Sequence, residues 1–66
     1  MKICINEESR EVPEGATVAD IVETLSINPK FVAVEVNLEL IPRDEHATHK
    51  LTEGDQLEVV TLVGGG

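Results

Sequence analysis

TVADIVETL (residues 17–25) is the stretch that decides the fold. Val18, Ile21, Val22 and Leu25 recur at the helical period and form one apolar stripe, while Glu23 and Thr24 fall on the solvent side. Thr17 precedes the stripe and Asp20 follows three residues later, a capping box with the shorter Asp in the Glu/Gln position. Asn28-Pro29 is the expected end of this helix. A helix with a single apolar face needs a second layer to cover it, so the flanking sequence has to supply that layer.

On both sides the period changes from 3.6 to 2. In residues 1–6, Ile3 and Ile5 share one face and Lys2 and Cys4 the other, and Asn6-Glu7-Glu8-Ser9 supplies turn formers before a short strand over residues 10–12. Pro13-Glu14-Gly15 then breaks the strand pattern. After the helix, residues 31–36 place Val32, Val34 and Val36 inward, with Glu35 marking the solvent side. Asn37 suits a left-handed turn, Leu40 and Ile41 make a brief strand stopped by Pro42, and residues 43–51 read as polar connecting structure with at most a helical turn. Glu53-Gly54-Asp55 forms a further turn. The final strand, residues 56–62, sets Leu57, Val59 and Thr61 on one face and Glu58, Val60 and Leu62 on the other. The order ββαβ(β)β defines an α+β domain over residues 1–62, compatible with a β-grasp and with several other α+β topologies.

Composition narrows the function classes. Sixty-six residues make one small domain with no room for a lined catalytic cleft. Thirteen acidic against five basic residues give a net charge of -8, which repels nucleic acid and anionic membranes and favours a basic protein partner. Phe31 is the one aromatic residue, so base-stacking platforms are missing too. The lone Cys4 cannot form an internal disulfide, and neither a secretory signal nor a membrane span is recognisable, so a cytoplasmic location is expected.

The start MKICIN, the segment NLELIPR (residues 37–43), the run EGDQLEVV and the glycines at the end together resemble the ThiS family of sulfur carrier proteins in thiamine biosynthesis. The resemblance spans essentially the whole chain. Two positions depart from the family's habit, which often has glycine where Leu38 stands and a large residue such as tryptophan where His46 stands. The resemblance implies the ubiquitin-like β-grasp fold: a small mixed sheet, one main helix on one face, and a flexible tail over residues 63–66.

It also implies a role for the tail. Gly66 carries the group to be modified, and Gly64 and Gly65 form the approach to it. A terminal carboxylate has a pKa of about 3.3 to 3.7, so at neutral pH it is an anion and a poor electrophile until activated. By resemblance, an E1-like adenylyltransferase of the ThiF type uses ATP and magnesium to convert the Gly66 carboxylate to an acyl adenylate. A sulfur donor such as a cysteine desulfurase then converts it to a thiocarboxylate, which passes sulfur to a thiazole synthase of the ThiG type. The carrier itself binds no cofactor and is a cosubstrate, not an enzyme. Glycine lets the chain pass a narrow channel, and four residues from 63 to 66 reach on the order of 13 to 14 Å. Val60 and Leu62, with exposed parts of residues 31–35, are the candidate partner-binding patch, the other reading being scattered surface apolars. Two alternatives use the same glycine end: a ubiquitin-like modifier joined to lysine amines, and a carrier for another pathway such as molybdopterin synthesis.

The remaining reactive side chains read as structural. His46 and His49, three apart in a polar loop, lack further ligands at metal-site spacing and are expected at the surface. Cys4, on the face opposite Ile3 and Ile5, has no base or cation beside it in the sequence and reads as an inert thiol.

Overall fold

The computed structural model describes residues 1–62. These hold β1 (Lys2–Ile5), β2 (Glu8–Glu11), α1 (Val18–Thr24), β3 (Val32–Val36), β4 (Glu39–Ile41) and β5 (Gln56–Thr61), with 3₁₀ turns at Pro29–Phe31 and Arg43–Glu45. The strands form one sheet in the order β2-β1-β5-β3-β4. β1 and β5 run parallel, with Ile5 opposite Leu57, and every other neighbour is antiparallel. One helix on one face of a mixed sheet is the β-grasp arrangement that the family resemblance implies.

The apolar stripe of α1 meets the inward face of the sheet. Val18, Ile21 and Val22 are buried against Ile3, Ile5, Val34 and Leu57, and the alternation predicted for β3 holds, with Val32, Val34 and Val36 all buried. Thr61 departs from the expected pattern. It lies on the core side of β5, opposite the buried Val32, but is exposed at the end of the strand.

Helix α1 begins where the capping box puts it. Asp20 N–H donates to Thr17 Oγ1 at 3.2 Å and Thr17 N–H donates to Asp20 Oδ2 at 3.0 Å. The next two orphan donors are satisfied from a distant loop: Val18 N–H bonds the His49 carbonyl at 3.0 Å and Ala19 N–H the His46 carbonyl at 2.9 Å. This docking corrects the expectation that His46 and His49 lie at the surface. His46 is buried at 6% exposure and Leu51 at 3%, while His49 is half-buried. The His46 Nε2 lies 3.1 Å from the Ile41 carbonyl, which can only accept, so that nitrogen carries the proton. A loop that caps a helix from below has to turn its own side chains into the core.

The helix stops with its apolar stripe at Leu25, as the spacing of residues 17–25 predicts, a tighter end than the Asn28-Pro29 breaker alone would set. Leu25 caps it and Ser26 takes a left-handed φ of 57°, so Asn28 does not terminate α1 but caps the following 3₁₀ turn by accepting from Lys30 N–H at 2.9 Å. The first hairpin is tighter than expected as well. Its turn is the pair Asn6-Glu7, with φ of 49° and 70°, so Glu8 and Ser9 belong to β2 and Val12 lies beyond it. Asn37-Leu38 closes the β3–β4 hairpin in the same way, with φ of 52° and 70°. Paired left-handed residues match the right-handed strand twist, and this geometry survives at Leu38 even though an L side chain there costs about 1 to 2 kcal/mol.

Asp55 joins this second hairpin to β5. Its carboxylate accepts from Thr52 N–H at 2.8 Å, from Thr52 Oγ1 at 3.0 Å and from Asn37 Nδ2 at 3.0 Å, while Asn37 Oδ1 accepts from Gln56 N–H at 3.0 Å. Burial pushes the carboxyl up, but the bonds from the Thr52 backbone, the Asn37 amide and the Thr52 hydroxyl, with the nearby His49, outweigh it and hold its pKa below the ordinary value. A carboxylate depressed in the folded state stabilises the fold above its unfolded pKa of about 3.9, and this contribution is lost as pH falls through the folded value.

Two measurements check this packing. Ile21→Ala, at a site 2% exposed, should lower stability by about 2 to 5 kcal/mol in urea melts, whereas Glu23→Ala should stay within about 0.5 kcal/mol of the parent. Asp55→Asn should lower the urea midpoint at pH 7 by about 1 to 3 kcal/mol equivalent and flatten the loss of stability on acidification below about pH 4. A variant with the parent's acid limb would show that Asp55 does not drive it.

Candidate functional site

The outward face of the sheet is apolar at one corner. Along β5, Leu57 and Val59 point to the core, so Glu58 and Val60 point away from the helix. Register then assembles neighbours around Val60. Ala33 of β3 lies directly opposite it, and the Leu62 N–H donates to the Phe31 carbonyl, which brings Phe31 beside Leu62. Val60 and Leu62 are each 52% exposed and Phe31 48%, a cluster where monomers usually carry isolated apolar residues. The sequence-predicted pair Val60 and Leu62 is thus on one face, next to the end of the described chain.

Carboxylates border this corner. Glu35 and Glu58 are direct cross-strand partners on the same face, and Leu40, 61% exposed, is the other partner of Glu35. Like charges directly opposite on a sheet are unfavourable, so the pair is retained at a cost to the isolated domain. The chain's net charge of -8 strengthens the same field. An apolar centre beside paired carboxylates suits an apolar knob flanked by Lys or Arg. The sequence reads Leu40 only as part of a strand; its place beside this face follows from the β3–β4 register, which spacing alone does not reveal.

The other sequence candidates fall elsewhere. Gly64, Gly65 and Gly66 lie outside the described residues, as does Val63. Cys4 is half-buried, with Ser9 and Gln56 as its cross-strand partners. Among the described residues, no three His, Cys, Asp or Glu side chains are grouped to hold a metal, and no helix is long and apolar enough to cross a membrane. Two grooves flank α1. One of about 380 Å³ lies over Arg10, Pro13, Ala16 and Asp20, and one of about 420 Å³ lies over Val22, Ile27, Arg43 and His46. Neither sets a cysteine or serine beside a histidine, so neither has the parts of a nucleophilic site.

Comparison with known proteins agrees with this geometry. The ThiS family model matches residues 2–66. The chain is 29% identical to the sulfur carrier protein ThiS of Escherichia coli, with all of both chains covered. It is 39% identical to a thiazole synthase of Paramagnetospirillum magneticum, where the whole chain corresponds to only 20% of the relative's length. The crystal structure of a thiamine biosynthesis protein (ThiS) from Geobacter metallireducens superposes with a TM-score of 0.84 at 26% identity, covering all of both chains. With a family match across nearly every residue and the same fold in a solved relative, the chain belongs to the ThiS family.

Proposed function

We propose that this chain is a sulfur carrier of thiamine biosynthesis, a protein cosubstrate consumed and regenerated in each cycle. The observation that carries the reading is the 29% identity to the E. coli carrier over all of both chains. On this reading residues 1–62 are the handle and residues 63–66 the arm. The Gly66 carboxylate attacks the α-phosphate of magnesium-bound ATP in the activating enzyme, releasing pyrophosphate. The outer sulfur of a donor persulfide then displaces AMP from the acyl adenylate, and a second thiol reduces the acyl disulfide so formed, leaving the thiocarboxylate and a disulfide on the donor side. The ATP and magnesium belong to that enzyme. The carrier contributes an unhindered glycyl carbonyl and a docking face, and the chemistry runs where water is excluded by its partner.

The docking face is the corner around Val60, Leu62 and Phe31, with Glu35 and Glu58 alongside. Apolar burial supplies contact energy and the carboxylates steer approach to a basic surface. A thiazole synthase is a natural second partner. A relative of that name contains, in one polypeptide, a stretch corresponding to this entire chain, which supports the two units working together. A compartment that supplies ATP, such as the cytoplasm, suits this chemistry.

Two experiments test the reading. Removing Gly66 should leave the fold unchanged and set the new terminal carboxylate about 3.3 to 3.6 Å short of the nucleotide. ATP–pyrophosphate exchange with the cognate activating enzyme should then fall by about a hundredfold, and an alanine added after Gly66 should fail likewise. A shortened chain adenylated as fast as the intact one sinks the proposal. Val60→Asp should keep the circular dichroism of the parent and weaken binding to the activating enzyme by about 2 kcal/mol or more, since it places an unpaired charge in an apolar contact. Unchanged affinity in titration removes Val60 from the face.

A further inference from the structure

β5 continues beyond its partner. The β1–β5 pairing ends at Ile5 opposite Leu57, with the Asn6 N–H donating to the Leu57 carbonyl at 2.9 Å, and the chain then swings away through the left-handed pair Asn6-Glu7. In a continued parallel ladder the next backbone groups of β1 would serve Val59. The Asn6 side chain serves it instead. Its Oδ1 accepts from Val59 N–H at 2.8 Å and its Nδ2 donates to the Val59 carbonyl at 3.1 Å. A carboxamide presents the same donor and acceptor as a peptide group, so one side chain replaces one rung of sheet. Among the described residues it is the only side chain bonded to the β5 backbone beyond Gln56.

From this geometry we infer that Asn6 is a positioning residue for the modification of Gly66: by holding Val59 from the β1 side it sets the line on which the chain leaves the sheet toward the partner's active site. The inference rests on the carrier reading above. Beyond Val59, the described chain is held from the β3 side, through Ala33 opposite Val60, Val32 opposite Thr61 and the Phe31 carbonyl, which accepts from Leu62 N–H. Seven residues separate Val59 from Gly66. The first three, Val60 to Leu62, span about 10 to 11 Å, so a tilt of about 10° at Val59 moves the point where the arm begins by about 2 Å. Reaction rates in a preorganised site fall steeply with displacements well under that. Asn6 touches neither the nucleotide nor Gly66 and acts wholly through the direction of β5. Asparagine also suits both tasks at this position, since it tolerates the left-handed φ of 49° that the turn demands.

Asn6→Gly separates the two tasks, because glycine adopts the left-handed turn without strain and has no amide. Asn6→Asp keeps an acceptor for Val59 N–H and loses the donor to its carbonyl. The full chain and these variants are compared in ATP–pyrophosphate exchange with the cognate activating enzyme, alongside amide hydrogen exchange of Val59. The expected result is a folded Asn6→Gly with a KM for the carrier near that of the parent, a kcat lower by about tenfold or more, and faster exchange at Val59, with Asn6→Asp in between. A parent-like kcat in a folded variant whose Val59 exchanges faster reduces Asn6 to a stability role and overturns the inference, leaving the carrier reading intact. Should Asn6→Gly not fold, the kcat of Asn6→Asp decides by the same criterion. An intact chain that supports no exchange at all removes the carrier reading, and the inference with it.

Discussion

The parallel pairing of β1 with β5 is the constraint on which the rest depends. Ile5 meets Leu57 across about fifty residues of sequence, and two parallel neighbours cannot be joined by a tight turn. Everything between them therefore has to leave the sheet and return to it. α1 covers the inner face on the way out, and β3 and β4 come back to occupy the far side of β5. The centre of the sheet is consequently made from the two ends of the described chain, and β5 is paired on both sides only up to the point where β1 stops.

This arrangement divides the molecule into a face for stability and a face for contact. Val18, Ile21 and Val22 seal the inner face, and the 43–51 loop locks the helix start by lending it the carbonyls of His46 and His49. The outer face is left without a covering layer, so alternation along β5 exposes Val60 while it buries Val59. For a carrier this is a workable division. On the proposed reading, the inner layer holds the domain together while the outer corner stays open to a partner.

Polar side chains stand in for missing backbone at several places among the described residues. Thr17 and Asp20 complete the helix start, Asn37 and Asp55 tie the second hairpin to β5, and Asn6 substitutes for a rung of β1. Each sits where regular structure stops while a neighbouring element continues, and each supplies the donor or acceptor that the departing chain removes. In a domain this small such sites carry a sizeable share of the specificity, because few apolar residues are available to fix register.

Much of this was written in local pattern. The apolar period of residues 17–25, the alternation in β1, β3 and β5, the capping box and the exposure of Val60 and Leu62 all follow from spacing, since helix and strand periods are properties of the backbone and show wherever one face is buried. The family resemblance then selected the β-grasp from the topologies that those elements allow. What tertiary structure alone decided are matters of long range. His46 reads as surface in its own polar loop and is buried because that loop caps a helix some thirty residues away. Asp55 reads as a turn residue and becomes a buried acceptor once Asn37 reaches it, Leu40 joins the outer corner only through its register with Glu35, and the bonds from Asn6 to Val59 cross most of the chain. Spacing encodes which way a side chain points; which distant group it meets depends on how the sheet is assembled.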